Sequence, residues 1–566
     1  MSPIIKIDNK EYNFKPSETV LSVARRHGLF IPALCYHPDF PAKGNCRLCL
    51  VEIIKDGKRQ VTSACSVPAE PNLEVFLDTA RIKRLRRTNL ELLFAEHVEK
   101  CPTCELRLNC PLLSLVKKYR VKVSRFPERK EARKNYDFGP ALALDGSKCI
   151  DCRLCLDACN RVQKLNCLTM KGRGCEQEIV PTSNPCTYCG QCVTHCPVAA
   201  FQEKPEHDIV SSLIKDKKKI VIAQFAPSIR AAIGEEFGME YDDKMAGRVS
   251  AALKKLGFDY VFDVNLGADI TTITEAEELV ERLNNPQAVF PMMTSCCPAW
   301  VRYVETRHPE LIPNLTSARS PHMHLGGVIK THWAHAKNIN PKDIVIVSVM
   351  PCTAKKYEIT RPEFKINGLK PVDHVITTRE MARMMKAAKI NLADLKPQPT
   401  DLVWNNGSGA GAIYGASGGV MESALRTTVW HLEKKNKTGR LEFKEVRGIS
   451  GLKQAKVKVA GRTLKVAVVN GLGNIDNILP KLKDFDYVEV MSCPGGCIGG
   501  GGQPFPVSNE VRLKRIQSLY SIDSKQKVRR AHENKEAMTS VDYVKSIGLG
   551  HAVLHTSFKA KTGKIK

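Results

Sequence analysis

The sequence predicts a multidomain protein of mixed α/β and α+β build, and three observations carry that prediction. At 566 residues the chain is too long for a single hydrophobic core. Its 22 cysteines are split unevenly, with seventeen between Cys35 and Cys196 and five at 296, 297, 352, 493 and 497. From Lys217 onward, β-like runs alternate with helix-like segments, the pattern of parallel-sheet units with helices on their faces. The units expected are 1–79, 80–125, 126–210, 211–511 and a carboxyl-terminal tail, 512–566.

Composition narrows the class. A hydrophobic content of 43% and a charged content of 26% are ordinary for soluble globular protein. The amino terminus shows no signal segment, and no apolar run approaches the roughly 18 residues of a membrane span, so a soluble cytoplasmic protein with no membrane role is expected. Structural disulfides are not expected in that compartment, and clustered cysteines there point to metal ligation. The net charge of +27 reads either as a solvated basic surface or as attraction of an acidic partner. Aromatic residues are sparse and no helix-turn-helix or finger spacing occurs, so nucleic acid is not the expected partner.

The first unit holds Cys35, Cys46, Cys49 and Cys65 among short β-like runs ("IIKI", "LVEIIK", "RQVTSAC") and turn signals ("DNK", "KDGK"). This suits a small β-grasp-like domain with a loop-held [2Fe–2S] cluster, although the first spacing, C-x10-C, is not that of plant-type ferredoxin and Zn also fits. The second unit offers "EHVEKCPTCELRLNC", with His97, Cys101, Cys104 and Cys110. On a helix His97 and Cys101 share one face. One histidine and three cysteines can hold Zn or a [4Fe–4S] cubane, and the cluster-rich neighbourhood favours the cubane.

The third unit carries a duplicated run, Cys149-x2-Cys152-x2-Cys155-x3-Cys159 and Cys186-x2-Cys189-x2-Cys192-x3-Cys196-Pro197. This is the bacterial two-cluster ferredoxin pattern, in which the fourth cysteine of each run ligates the other cluster. One cubane is therefore assigned to Cys149, Cys152, Cys155 and Cys196, the other to Cys186, Cys189, Cys192 and Cys159. Asn160 stands where the first run usually has proline. Cys167 and Cys175 are left over as ordinary thiols. Four clusters in one third of the chain form a wire, because electrons tunnel well only over short steps. A wire needs a destination.

The remainder supplies one. Three β-like runs end in cysteine motifs, "TSCCPAW" (294–300), "MPCTAKKYE" (350–358) and "EVMSCPGGCIGGGGQP" (489–504). Sites in open α/β folds lie beyond the carboxyl ends of strands. Four of these five thiols complete a further cluster, leaving one of the neighbours Cys296 and Cys297 unused. Gly499 to Gly502 are expected to let backbone approach a bulky cofactor.

These three motifs, with "FAPSIRAAIGEEFG" (225–238) and "YGASGGVMESALR" (414–426), closely resemble the signatures of the [FeFe]-hydrogenases, and the amino-terminal third resembles their large monomeric clostridial-type members. The resemblance implies reversible H2 oxidation and proton reduction at an H-cluster, a cubane bridged to a diiron unit carrying CO, cyanide and azadithiolate. It implies Cys297, Cys352, Cys493 and Cys497 as cubane ligands, with Cys497 bridging to the diiron unit, and Cys296 as the thiol that passes protons. It also implies maturation enzymes as partners. Glu275, Glu278 and Arg282 match the family's proton relay, though alone they read as one solvated helical face. Thr316 matches a relay hydroxyl that is often serine, and Lys355 a lysine that hydrogen-bonds cyanide. Ala226, Pro227, Ser228, Met350, Gly418 and Gly419 match residues lining the diiron unit. His322, with His324, departs from the usual glutamine and apolar residue, and an imidazole there would perturb the cluster or simply pack. Ala299 replaces a commoner glycine.

Two other classes compete. A sensory relative tends to lack the relay cysteine, which Cys296 supplies here. A pure electron-transfer subunit, like the cluster-bearing subunit of respiratory complex I, accounts for residues 1–205 but not for the three later motifs. "NGLGN" (470–474) is not a full dinucleotide fingerprint, so direct NAD(P)H use needs partner subunits. The expected electron partner is an acidic ferredoxin or similar carrier, docked by basic clusters such as those of the tail, with the chain a monomer or a subunit of a larger redox complex.

Overall fold

A computed structural model of the protein describes residues 3–401, 407–433 and 440–562; the Cys175 side chain, read above as an ordinary thiol, lies outside what is described. The first unit is a five-stranded sheet of β1 (Ile4–Ile7), β2 (Lys10–Asn13), β3 (Leu50–Lys55), β4 (Lys58–Ser63) and β5 (Glu74–Phe76), in the order β2-β1-β5-β3-β4. Only β1 and β5 pair parallel, Lys6 opposite Glu74. The helix Val20–Arg26 begins at a Thr19/Ser22 capping box and packs Val20, Leu21 and Val23 against Ile5, Ile7, Val51 and Val75. A sheet closing around one helix is the β-grasp arrangement expected, and the long connection to β3 carries Cys35, Cys46 and Cys49.

The helix Ala80–Ala95 stops short of His97, so His97 and Cys101 do not share a helical face as the spacing suggested. A 3-10 turn replaces it and keeps them one turn apart, Cys101 N–H donating to the His97 carbonyl at 3.0 Å. Cys110 caps the helix Pro111–Lys118. The third unit adds β6 (Asn135–Phe138), β7 (Leu142–Asp145), β8 (Leu168–Lys171), β9 (Glu178–Pro181) and β10 (Phe201–Glu203), in a β10-β7-β6 sheet and a β8–β9 pair.

Two four-stranded sheets make up the large unit. One is wholly parallel, in the order β12-β11-β14-β15, built from β11 (Ile220–Phe225), β12 (Tyr260–Asp263), β14 (Ile344–Met350) and β15 (His374–Thr377). The other runs β13-β18-β17-β16, from β13 (Met292–Met293), β16 (Leu452–Val459), β17 (Arg462–Asn470) and β18 (Tyr487–Met491), with only the β16–β17 hairpin antiparallel. The six apolar runs read from sequence are β11, β12, β13, β14, β17 and β18, and β11, β14 and β18 are buried along nearly their whole length, as central parallel strands require. β11, β13, β14 and β18 each end within a few residues of a motif named above. The helix Asn265–Asn284 packs on Pro321–Val328 and Gly419–Glu433, and all but its last two turns are buried. Among the described residues no helix is long and apolar enough to cross a membrane.

The tail forms helices Asn509–Lys525, Lys535–Ser546 and Gly550–Leu554. Two of its arginines are internal anchors, while Lys514 and Lys525 are exposed. Arg512 is buried and pairs with Asp39 at 2.8 Å, Arg515 with Glu235 at 2.6 Å. Arg426 is fully enclosed and bonds Glu422 at 2.8 Å, Asp523 of the tail at 2.8 and 2.9 Å, and two carbonyls. Breaking such a buried network by removing one partner costs about 3–5 kcal/mol. Arg426→Met is therefore expected to lower the onset of thermal unfolding markedly, and an unchanged melt would show that the tail is held by other contacts.

Candidate active site

The three motifs converge on one cavity. Cys296, Cys297, Cys352, Cys493 and Cys497 all line it, with Ala226, Pro227, Ser228, His322, Met350 and Lys355. Its volume is about 80 Å³, several times what one water molecule needs, whereas a lone metal ion held by thiolates at about 2.3 Å leaves none. The hydroxyls of Ser228 and Ser492 are buried at its wall with no partner among the described residues. A bulky group with many acceptor atoms fits this chemistry; a single ion does not.

Each thiol is placed by local structure. Cys297 is the residue before the helix Pro298–Arg307, so the backbone N–H groups of Ala299 and Trp300 face its sulfur and favour a thiolate, against the burial that raises its pKa. Ser492 N–H adds a bond at 3.4 Å. Its neighbour Cys296 has no such donors. Burial, then the charges of Glu275 and the other thiols, pushes the Cys296 thiol well above its ordinary range, so it keeps its proton.

The glycine run serves a different purpose from the one expected. A Cβ at Gly501 would lie 2.4 Å from the Cys189 carbonyl and 2.7 Å from Gly190 Cα, and one at Gly502 would strike Thr377 at 2.9 Å. Only Gly500 of the four borders the cavity, so this loop mainly lets the third unit's backbone approach the Cys493 loop. Gly418 and Gly419 are likewise set back against Val446 and Ile413, and Tyr414 and Gly415 are the residues of that segment that face the cavity.

Lys355 reaches the wall with its Nζ bonded to the Cys296 carbonyl at 3.1 Å and to Glu358 Oε2 at 2.7 Å. The same oxygen bonds His322 Nε2 at 2.6 Å, while Ser348 Oγ lies 3.1 Å from Nδ1. Glu358 is buried, yet Lys355 and His322 hold it down at about 2, and burial and the Lys355 charge push His322 down to about 4. A neutral His322, its Nε2–H donated to a carboxylate and its Nδ1 accepting from serine, is a fixed wall residue. His324 bonds Thr271 and the Leu554 carbonyl instead, tying down the tail.

The charged face of the helix Asn265–Asn284 is not solvated. Glu275 is fully buried beside Cys296, its pKa pushed up to about 8 by burial and by the negative charges of Glu278 and Glu489. Tyr487 donates to Glu275 Oε1 at 2.8 Å, and Oε2 has no partner. Glu278 Oε2 accepts from Thr316 Oγ1 at 2.7 Å and from Ser317 N and Oγ at 2.9 Å, while Arg282 holds Oε1. Tyr487, Glu358 and Ser317 went unnoticed in the sequence. Glu358 alone had a local signal, three residues from Lys355.

The amino-terminal sets also assemble. Cys35 lies beside Cys46, and Cys49 beside Cys65. His97, Cys101, Cys104 and Cys110 line one small cavity, and His97 Nε2 is buried without a partner, as an unmet ligand atom would be. Cys159 crosses to line a cavity with Cys186, Cys189 and Cys192, and Cys196 lies with Cys149, Cys152 and Cys155. Cys167 is buried in contact with Cys159 and Cys186, closer to this site than an ordinary leftover thiol. Between these sets, the charge of Cys46 acts on Cys152, Lys148 and Val198 line the His97 cavity, and Cys493 Sγ lies 4.0 Å from the Cys189 carbonyl.

Comparison with known proteins identifies the family. Residues 219–501 match the iron only hydrogenase large subunit, C-terminal domain; residues 4–80 a 2Fe-2S iron-sulfur cluster binding domain; and residues 86–125 the NADH-ubiquinone oxidoreductase-G iron-sulfur binding region. The chain is 37% identical over 579 residues to the NADP-reducing hydrogenase subunit HndD of Solidesulfovibrio fructosivorans, covering 98% of each. It is 37% identical over 575 residues to iron hydrogenase 1 of Clostridium pasteurianum, 98% of this chain and 99% of that one. A solved variant of the [FeFe]-hydrogenase HydA1 from Chlamydomonas reinhardtii superposes with a TM-score of 0.55 at 36% identity, over 63% of this chain and all of that one.

Because the Tyr487 hydroxyl stabilises ionised Glu275, Tyr487→Phe is expected to move the Glu275 pKa upward from about 8. An infrared titration of the buried carboxylic acid C=O stretch, assigned by Glu275→Gln, measures this; a downward or null shift contradicts the assignment.

Proposed function

For a chain that belongs to the iron-only hydrogenase family, we propose a catalytic centre in which Cys297, Cys352, Cys493 and Cys497 hold the H-cluster and Cys296 carries protons. The reaction is the reversible oxidation of H2 and reduction of protons, with electrons relayed by iron–sulfur clusters of the [2Fe–2S] and [4Fe–4S] kinds. When bound, the H-cluster supplies the iron chemistry at which H2 is split or formed.

The protein's own residues divide the remaining work. Lys355 presents a cation to anionic ligands of the group, and Ser228 a free hydroxyl. Cys296, Glu275, Thr316 and Glu278 move protons outward, because each is a donor or acceptor that stays uncharged or fully bonded in a dry interior. Arg282 orients Glu278. The single observation that carries this reading is the convergence of all five late cysteines on one cavity, with the charge of buried Glu275 acting on Cys296.

The finer assignments follow. One [2Fe–2S] cluster takes Cys35, Cys46, Cys49 and Cys65, and a cubane takes His97, Cys101, Cys104 and Cys110. Two more take the crossed cysteine runs, and the unit boundaries stay at 79, 125, 210 and 511. The family matches at 4–80 and 86–125 support the first two. The thiol inventory supports a cytoplasmic setting. A net charge of +27 supports an acidic ferredoxin or similar carrier as the electron partner. HndD is by name a subunit of an NADP-reducing hydrogenase, so assembly with further subunits is the second reading.

In fully matured protein, Cys296→Ala is expected to lose roughly 10²-fold or more of H2 turnover while keeping the infrared bands of bound CO and cyanide. Full activity in that variant would remove Cys296 from the proton path. Intact bands with negligible wild-type turnover would indicate a sensory relative instead.

A further inference from the structure

Glu278 ends the relay proposed above, but the structure continues it. Arg282 covers Oε1 through Nε at 3.1 Å and Nη2 at 2.7 Å, and its guanidinium is further bonded to the carbonyls of Val289, Pro313 and Leu315. A guanidinium does not give up its proton, so that side is closed to transfer. The other oxygen, Oε2, bonds the Ser317 hydroxyl at 2.9 Å, and Ser317 Oγ lies 2.9 Å from Nδ1 of His555 in the carboxyl-terminal tail.

His555 is half-buried, and its ring stacks at 5.7 Å on exposed His551. It is not placed by chance packing. Ala318 and His555 form an antiparallel bridge, Thr556 N–H donates to the Ser317 carbonyl at 2.8 Å, and Arg319 N–H to the Leu554 carbonyl at 3.0 Å. Arg319 Nε grips the His555 carbonyl at 2.9 Å. The tail is thus zipped to the strand-like segment that bears Thr316 and Ser317. The groups acting on the imidazole are Glu278, Glu277, His551 and Lys545. Burial first, then His551 and Lys545, lower its pKa, and the two glutamates oppose them.

We propose that His555 is the exit group of the proton relay, exchanging a proton with Glu278 through the Ser317 hydroxyl and with solvent at its other ring nitrogen. Outward, the carboxylic O–H of Glu278 passes its proton to Ser317 Oγ, the serine proton moves to Nδ1, and Nε2–H is released to water. No electron moves in this exchange, and reversal of the same three bonds serves the inward direction. An imidazole titrates in the range where solvent can reload it. The inference rests on the relay reading of Cys296, Glu275 and Glu278.

The test uses matured holoenzyme carrying His555→Gln, with Ser317→Ala as a second variant. In dilute buffer both are expected to lose about 10-fold or more of H2 turnover, with CO and cyanide bands unchanged. Added imidazole is expected to restore His555→Gln, and the C=O stretch of Glu278 to shift in both variants. Wild-type turnover of His555→Gln in dilute buffer overturns the proposal. A loss that imidazole does not restore, accompanied by a lower melting temperature, also overturns it and leaves His555 an anchor of the tail. If Cys296→Ala is fully active, the relay reading itself fails; if it is inactive while His555→Gln is normal, only the exit assignment fails.

Discussion

Exclusion of water from Cys296 and Glu275 is the constraint on which the catalytic half of the molecule depends. A buried carboxyl with a single donor stays protonated near neutrality, and a buried thiol without backbone donors stays a thiol. Keeping these groups dry requires the helix Asn265–Asn284 to be enclosed by two others and by the tail. The enclosure in turn obliges every other charge nearby to find a partner. Glu358 has Lys355 and His322, and Glu489 has the N–H groups of Gly418 at 2.6 Å and Met421 at 2.8 Å. Arg426 has Glu422 and Asp523.

Much of this was legible in the sequence, for a physical reason. Iron–sulfur ligation draws mostly on cysteine, often at short spacings, so the candidate sets at 35–65, 97–110 and 149–196 could be read without coordinates, and the set at 296–497 through its three cysteine motifs. Parallel strands buried on both faces announce themselves as apolar runs. What stayed hidden were pairs made by the fold alone. Tyr487 meets Glu275 across 212 residues and Ser317 meets His555 across 238, and a strand tyrosine or a tail histidine carries no mark of its partner. The glycine run misled for a related reason. Glycine announces close approach without saying to what, and here Gly501 faces Gly190 and the Cys189 carbonyl more than any cofactor.

In the reading proposed above, protons and electrons use separate sets of residues. The proton groups lie along the helix that bears Glu275 and Glu278, and end at the tail. The electron route passes the Cys493 loop, where two glycines bring Cys189 alongside. Met350 ends β14, Cys352 follows two residues on, and Lys355 lies on the next helix, Ala354–Glu358, so one strand-to-helix connection places both a proposed ligand of the centre and the cation beside it.

On the cluster assignments proposed above, the conductor beyond the Cys189 site would have a trunk and two branches. A single-file line carries only what its slowest member admits, and falls silent when one member is lost. Two entrances at the Cys149 site would let one branch stay filled while the other exchanges with a carrier. Such an arrangement would store charge as well as move it. Hydrogen is made or consumed two electrons at a time, whereas iron–sulfur carriers deliver one, and a reservoir between them reconciles the two counts.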